Sequence, residues 1–157
     1  KGNTIQLLHI ETSLKVPLEI PELNFPIYIH GQVDRIDKYN GETRIIDYKT
    51  GTVYKGDLEL MHWDELRTEY KYSKAFQVLS YALMMYRDTP FETAQAGIIS
   101  FKNLGNGFLP FATKDSSRGK KDVSITKEVL SLFEEQLKGL ILEICNPEFP
   151  FVEKEIE

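Results

Sequence analysis

The dipeptide Asn40-Gly41 constrains this chain most, because it stands between two runs that alternate like strands, Phe25 to Tyr39 and Glu42 to Tyr48. A two-residue hairpin turn needs positive φ at both positions, and Asn-Gly is a pair that adopts it at little cost. With that turn, Tyr39 faces Glu42, Ile36 faces Ile45, and Asp34 faces Asp47. Strand side chains alternate between faces, so Gln32, Asp34, Ile36, Ile45, Asp47 and Lys49 are predicted to share one face. On the other face Asp37 and Arg44 make an ordinary surface cross-strand pair.

Opposed like charges destabilise a strand pair, and a buried carboxylate without a partner costs more. Two compensations are open. A divalent cation could sit between Asp34, Asp47 and a nearby main-chain carbonyl, since hard ions take oxygen ligands. Alternatively Lys49 neutralises the pair, or the strands are exposed and the aspartates solvated. The isoleucines that share the face favour a half-buried site. Two carboxylates and a lysine at this spacing suit metal-assisted hydrolysis of a phosphodiester, with the lysine placing the water or stabilising charge.

The rest of the chain supplies a sheet and two helices around this hairpin. Residues 4–20 are rich in β-branched types and read as a strand or strand pair, with Pro17 and Pro21 as breakers. After Gly51 periodicity is lost until about Tyr72, which predicts a loop with room for a short helix. Phe76, Leu79, Leu83 and Tyr86 then recur at helical spacing from Ser73, the expected N-cap, to Arg87. Ala94 to Phe101 and Gly107 to Ala112 read as strands around a turn at 103–106. The segment KDSSRGKKD is a charged loop, more simply solvated than in contact with DNA. Thr126 caps a last helix to about Ile144, with Val129, Leu132, Phe133, Leu137, Leu140 and Ile141 as its stripe.

At 157 residues the chain fits one domain, 1–157, with charged residues at 27% and hydrophobic ones at 41%, values that exclude a disordered or fibrous class. No apolar run approaches the roughly 20 residues of a membrane span, so no membrane association is expected. Cys145 is the only cysteine, which suits a cytoplasmic protein and cannot by itself build a metal site; it reads as a helix core residue. A net charge of −5 does not suggest a nucleic-acid surface, yet carboxylates gathered for metal would lower it without excluding DNA. The start at Lys1 without methionine, and an end without a stop signal, give the expectation of a piece of a larger protein, monomeric as a fragment.

The phrases GQVDRID, Gly31 to Asp37, and DYKTG, Asp47 to Gly51, resemble the PD-(D/E)xK nuclease superfamily, and its RecB-like branch in particular. That branch also carries Gln-x-x-x-Tyr on the following helix, matched here by Gln77 and Tyr81, one helical turn apart. The resemblance implies an α/β (α+β) restriction-endonuclease-like core, a central mixed sheet flanked by helices, here lacking the N-terminal helix. It implies a Mg²⁺- or Mn²⁺-dependent, exodeoxyribonuclease-like domain of a DNA repair or recombination protein, attached to a helicase domain or subunit as in RecB- and AddB-like proteins. Asp34 and Asp47 match the metal ligands, the Tyr48 carbonyl a third ligand, and Lys49 the catalytic lysine. Gln77, Tyr81 and Arg35 would position the site or the DNA backbone. An alternative is a nuclease-fold module without catalysis that binds DNA or serves as a scaffold, although an intact Asp34, Asp47 and Lys49 disfavours it. The branch's upstream acidic or histidine ligand has no counterpart; His9 and His30 read as ordinary strand histidines, with His30 on Asp34's face by parity. Some relatives hold an iron–sulfur cluster through several cysteines, which Cys145 alone cannot do.

Overall fold

The computed structural model describes residues 2–152. Its first three strands are β1 (Ile5–Leu18), β2 (Ile27–Tyr39) and β3 (Glu42–Lys49). The turn between β2 and β3 has the expected form, with φ of 52° at Asn40 and 89° at Gly41, and Tyr39 pairs with Glu42. Asn40 also fastens the start of the chain. Its Oδ1 accepts from the Thr4 N–H at 2.9 Å, and its own N–H donates to the Thr4 carbonyl at 2.9 Å.

The stretch predicted as a loop is built of short pieces: β4 (Glu59–Leu60), the one-turn helix α1 (Glu65–Thr68), and 3₁₀ turns at Lys55–Asp57 and Tyr70–Tyr72. Each piece buries at most one residue, Leu60, Leu66 or Tyr72, with Val53 and Leu58 buried between elements, so no period shows in the sequence. Helix α2 (Ser73–Asp88) follows. Ser73 is its first helical residue and not its cap, because the Tyr70–Tyr72 turn runs straight into the helix.

Strands β5 (Gln95–Ser100), β6 (Phe108–Pro110), β7 (Ala112–Lys114) and β8 (Lys121–Asp122) precede helix α3 (Lys127–Cys145). The single strand expected over 107–112 is divided at Phe111, because its two halves join different sheets. Thr126 caps α3 as predicted, its Oγ1 accepting from the Val129 N–H at 3.4 Å. Cys145 is the last residue of α3 and only half-buried, because the helix end leaves the core.

The central sheet runs β1-β2-β3-β5-β6, with β3 and β5 parallel and the other neighbours antiparallel; β4, β7 and β8 form a smaller sheet. A parallel neighbour requires a crossover, and α2 lies within it. It packs on the sheet through Ala75, Val78, Leu79, Ala82 and Leu83, against a layer that includes Ile36, Ile45, Ala96 and Ile98. Helix α3 rests on α2, with Phe133 edge-on to Phe76 at 5.2 Å and Arg87 bridging to Glu134 at 2.7 Å. Leu130, Phe133 and Leu137 are its buried residues, whereas Leu132 is exposed, so the stripe is narrower than predicted. The chain thus adopts the mixed sheet flanked by helices expected of a restriction-endonuclease-like fold, and β1 is the first element of the described residues. No helix among them is long and apolar enough to cross a membrane.

Candidate active site

Lys49 reaches Gln77 of α2, so Asp47 and Ile45, which share its parity, face that helix, as does Ile36 opposite Ile45. Gly31 faces α2 as well: a Cβ placed there would lie 3.0 Å from Met84 Cε and 3.2 Å from the Tyr81 ring. Gly31 and Ile36 differ in parity, so β2 resets its alternation between them. The reset falls at Asp34, since Val33 is in the α2 core while Arg35 points to the other face, where it meets Asp37 and Tyr48. Opposite it in β1, between the pairs Thr12–Val33 and Ile10–Arg35, Glu11 has a φ of 48°. A non-glycine residue in that region costs about 1–2 kcal/mol. Such strain collects at functional sites.

Two expectations fail as a result. Gln32 and His30 lie on the face away from α2 and not beside Asp34, with Gln32 Nε2 donating to the Glu11 carbonyl at 3.4 Å. Asp34 and Asp47 are not partners in the ladder, which ends at Arg35–Ile46. Beyond that point the Asp34 carboxylate itself accepts the Tyr48 N–H at 2.8 Å, a side chain standing where a strand carbonyl would be. The two acids are still brought together at the point where β3 leaves β2 and continues along β5, with Asp47 beside Ile98.

Asp47 is buried, and Lys49 Nζ lies 2.8 Å from its Oδ2. The Lys49 ammonium is thus the partner of that buried oxygen. Burial pushes the Asp47 carboxyl up, Lys49 pulls it back, and the Asp34 charge adds to the rise. The Lys49 ammonium also donates to Gln77 Oε1 at 2.7 Å, and Gln77 Nε2 donates to the Tyr81 hydroxyl at 2.9 Å. Asp34, Asp47, Tyr48, Lys49, Gln77 and Tyr81 therefore form one connected group.

Arg35 stands apart from it. On the sheet's other face Asp37, fully buried, takes bonds from Arg35 Nε at 2.8 Å and from Arg44 at 2.8 and 2.9 Å. The pair predicted at the surface is thus internal, roofed by Arg44 lying over the rings of Tyr39 and Phe108. His9 and His30 are exposed on their strands. Sequence reasoning passed over Glu11, whose conformation has no signature in composition.

The donor set fits a hard divalent cation. Two carboxylates, Asp47 buried and Asp34 accepting the Tyr48 N–H, adjoin the Tyr48 main chain, and Mg²⁺ characteristically takes one or two carboxylates with waters completing its shell. Among the described residues no group of three acidic, histidine or cysteine side chains gathers, so the site offers few protein ligands. The family model for the PD-(D/E)XK nuclease superfamily, whose members generally use divalent metals, matches residues 3–155. With that match running nearly end to end over a mixed sheet and its acid–lysine cluster, the chain belongs to the PD-(D/E)XK nuclease superfamily.

Proposed function

We propose that this domain is a Mg²⁺- or Mn²⁺-dependent deoxyribonuclease of the RecB-like kind, serving a larger DNA repair or recombination protein that includes a helicase. One observation carries the catalytic part: Lys49 Nζ stands 2.8 Å from Asp47 and 2.7 Å from Gln77, held at the acid cluster by a helix from the crossover. The RecB-like assignment draws on the paired phrases GQVDRID and DYKTG and on Gln77 and Tyr81 lying behind the lysine.

When bound, the cation would supply an activated water and positive charge against the phosphate. Asp34, Asp47 and the Tyr48 carbonyl would hold it. Lys49 presents its ammonium toward the attacking water and the charge that develops on the phosphoryl oxygens. Gln77 accepts one ammonium proton, which orients the others, and Tyr81 fixes the amide of Gln77.

The test is cleavage of linear DNA in Mg²⁺ by the wild type, Asp47→Ala and Lys49→Ala. The wild type should cut, and each variant should lose about 10²–10³-fold in rate. Variants that cut as fast as the wild type would remove the catalytic assignment. Mn²⁺ should raise the melting temperature of the wild type and leave Asp34→Asn unmoved. Stabilisation by metal with no cutting would favour a DNA-binding module without catalysis.

A further inference from the structure

Strand β1 forms an edge of the central sheet, and its two halves treat that edge differently. Among the described residues β1 pairs only with β2, so its outer side presents unpaired N–H and C=O groups. Natural edge strands are commonly blunted by lysine, proline or an irregularity. The second half of β1 has Lys15 and Pro17, with Leu14, Val16 and Leu18 buried against the core. The first half, up to Ile10, has no proline, lysine, arginine or carboxylate, yet Ile5, Leu7, Leu8 and Ile10 are 57%, 48%, 36% and 61% exposed. Single apolar residues on a surface are ordinary, but four within six positions along an open edge mark an interaction site.

That edge reads alike in both directions. From Thr4 to Glu11 the order is polar, apolar, polar, apolar, apolar, polar, apolar, polar. Laid antiparallel on a second copy about an axis between Leu7 and Leu8, Ile5 meets Ile10, Leu7 meets Leu8, Gln6 meets His9 and Thr4 meets Glu11. Simple alternation would put Ile5 and Ile10 on opposite faces. The bulge in β1 cancels this, because Leu7 pairs with Asp37 and His9 with Ile36, which leaves Leu8 as an extra residue. Ile5, Leu7 and Ile10 therefore oppose Tyr39, Asp37 and Arg35 and share the face away from α2. Gln6 and His9 oppose Lys38 and Ile36 and share the other. Each copy brings the same extra residue, so the count across the axis stays equal.

We propose that this edge is a self-association site, where two copies of the chain join β1 to β1 antiparallel over Thr4 to Glu11 and make the two five-stranded sheets one. The contact is isologous, the same patch on both copies, so it closes at a dimer and not a fibre. Apolar residues meet apolar ones along the face away from α2, and the new ladder gives the open backbone groups their partners. This departs from the monomer expected of the sequence. Because opposed residues share a face, the two-fold axis crosses the sheet, and both α2 helices with both acid–lysine clusters lie on one side of it. The inference stands on the edge alone and does not depend on the chemistry of those clusters.

Sedimentation velocity on the 157-residue chain over a concentration series tests this. The wild type should move from 18.1 kDa when dilute to twice that mass when concentrated. Ile10→Lys puts a charge into the apolar stripe on both sides of the axis and should weaken association about tenfold or more, with the melting temperature of the dilute protein unchanged. The register is read by disulfides in a Cys145→Ser background, which removes the native thiol. Gln6→Cys mixed with His9→Cys should cross-link on oxidation and neither should alone, because only opposed residues bring their Cα atoms within the roughly 4.4–6.8 Å that a disulfide spans. A wild type that stays at 18.1 kDa throughout, a dimer that Ile10→Lys leaves as tight, or a single cysteine variant that cross-links as readily as the mixture would overturn the proposal.

Discussion

Lys49 has two acceptors, and the second of them settles how Gln77 must lie. An ammonium only donates, so the amide oxygen of Gln77 has to face it and the amide nitrogen has to face the Tyr81 hydroxyl. On the proposed function Tyr81 would be a positioning residue acting through Gln77. Gln77→Leu should lower kcat about tenfold, as expected when a positioned acid–base group is misaligned, with little change in KM. Tyr81→Phe deletes one hydrogen bond worth about 1 kcal/mol and should cost less in rate, a difference that steady-state kinetics on one DNA substrate would show. At this scale much was legible. Asp34, Asp47, Lys49, Gln77 and Tyr81 were all named from spacing or resemblance, and the structure brings them into one group. What could not be read was the face of each residue before Asp34, because parity counted back from the turn assumes an unbroken strand.

The elements show where that assumption broke. The turn at Asn40-Gly41 was visible because its φ values demand particular residues, and the register it sets holds from Tyr39–Glu42 to Arg35–Ile46. The reset at Asp34 and Glu11 demands no particular residue type, so nothing in the sequence announces it. Asp37 was misjudged for a related reason: its burial comes from arginine stems and rings folding over it, a tertiary effect that strand alternation does not contain. Removing Arg44 takes two hydrogen bonds from this buried carboxylate and leaves Arg35 as its remaining cationic partner. Arg44→Met should therefore destabilise the domain by about 3 kcal/mol in urea titrations, more than a surface pair would cost. Gly97 is a second constraint on the sheet. A Cβ there would overlap the Leu109 carbonyl and come within 2.8 Å of Pro110 Cα, both backbone. Gly97→Ala should cost about 2 kcal/mol by the same measurement, since β6 must shift to admit the methyl group.

Across the whole molecule, the small sheet is fastened by charge. Glu59 of β4 meets Lys114 of β7 at 2.6 Å and also Lys121 of β8. Burial alone would raise its carboxyl, but the two lysines outweigh that and hold it below the usual range. A carboxyl lowered in the folded state lends stability that is complete above its unfolded pKa and is lost as pH falls through the folded value. Lys114→Gln should flatten this acid limb in melting curves taken across a pH series, while leaving the shape of the curve near neutrality as it is.

The sheet order also separates two events in time. The β2–β3 hairpin closes over two residues, so it can form as soon as Lys49 exists, whereas β3 meets β5 only after the entire crossover has been laid down. Until then both acids and the lysine lie on a two-stranded ribbon, and Gln77, itself part of the crossover, meets Lys49 only when α2 packs on the sheet. A nascent chain of this kind holds its acids and lysine well before the packed helix to which the lysine donates, so the hairpin and the completed cluster are separate events of folding.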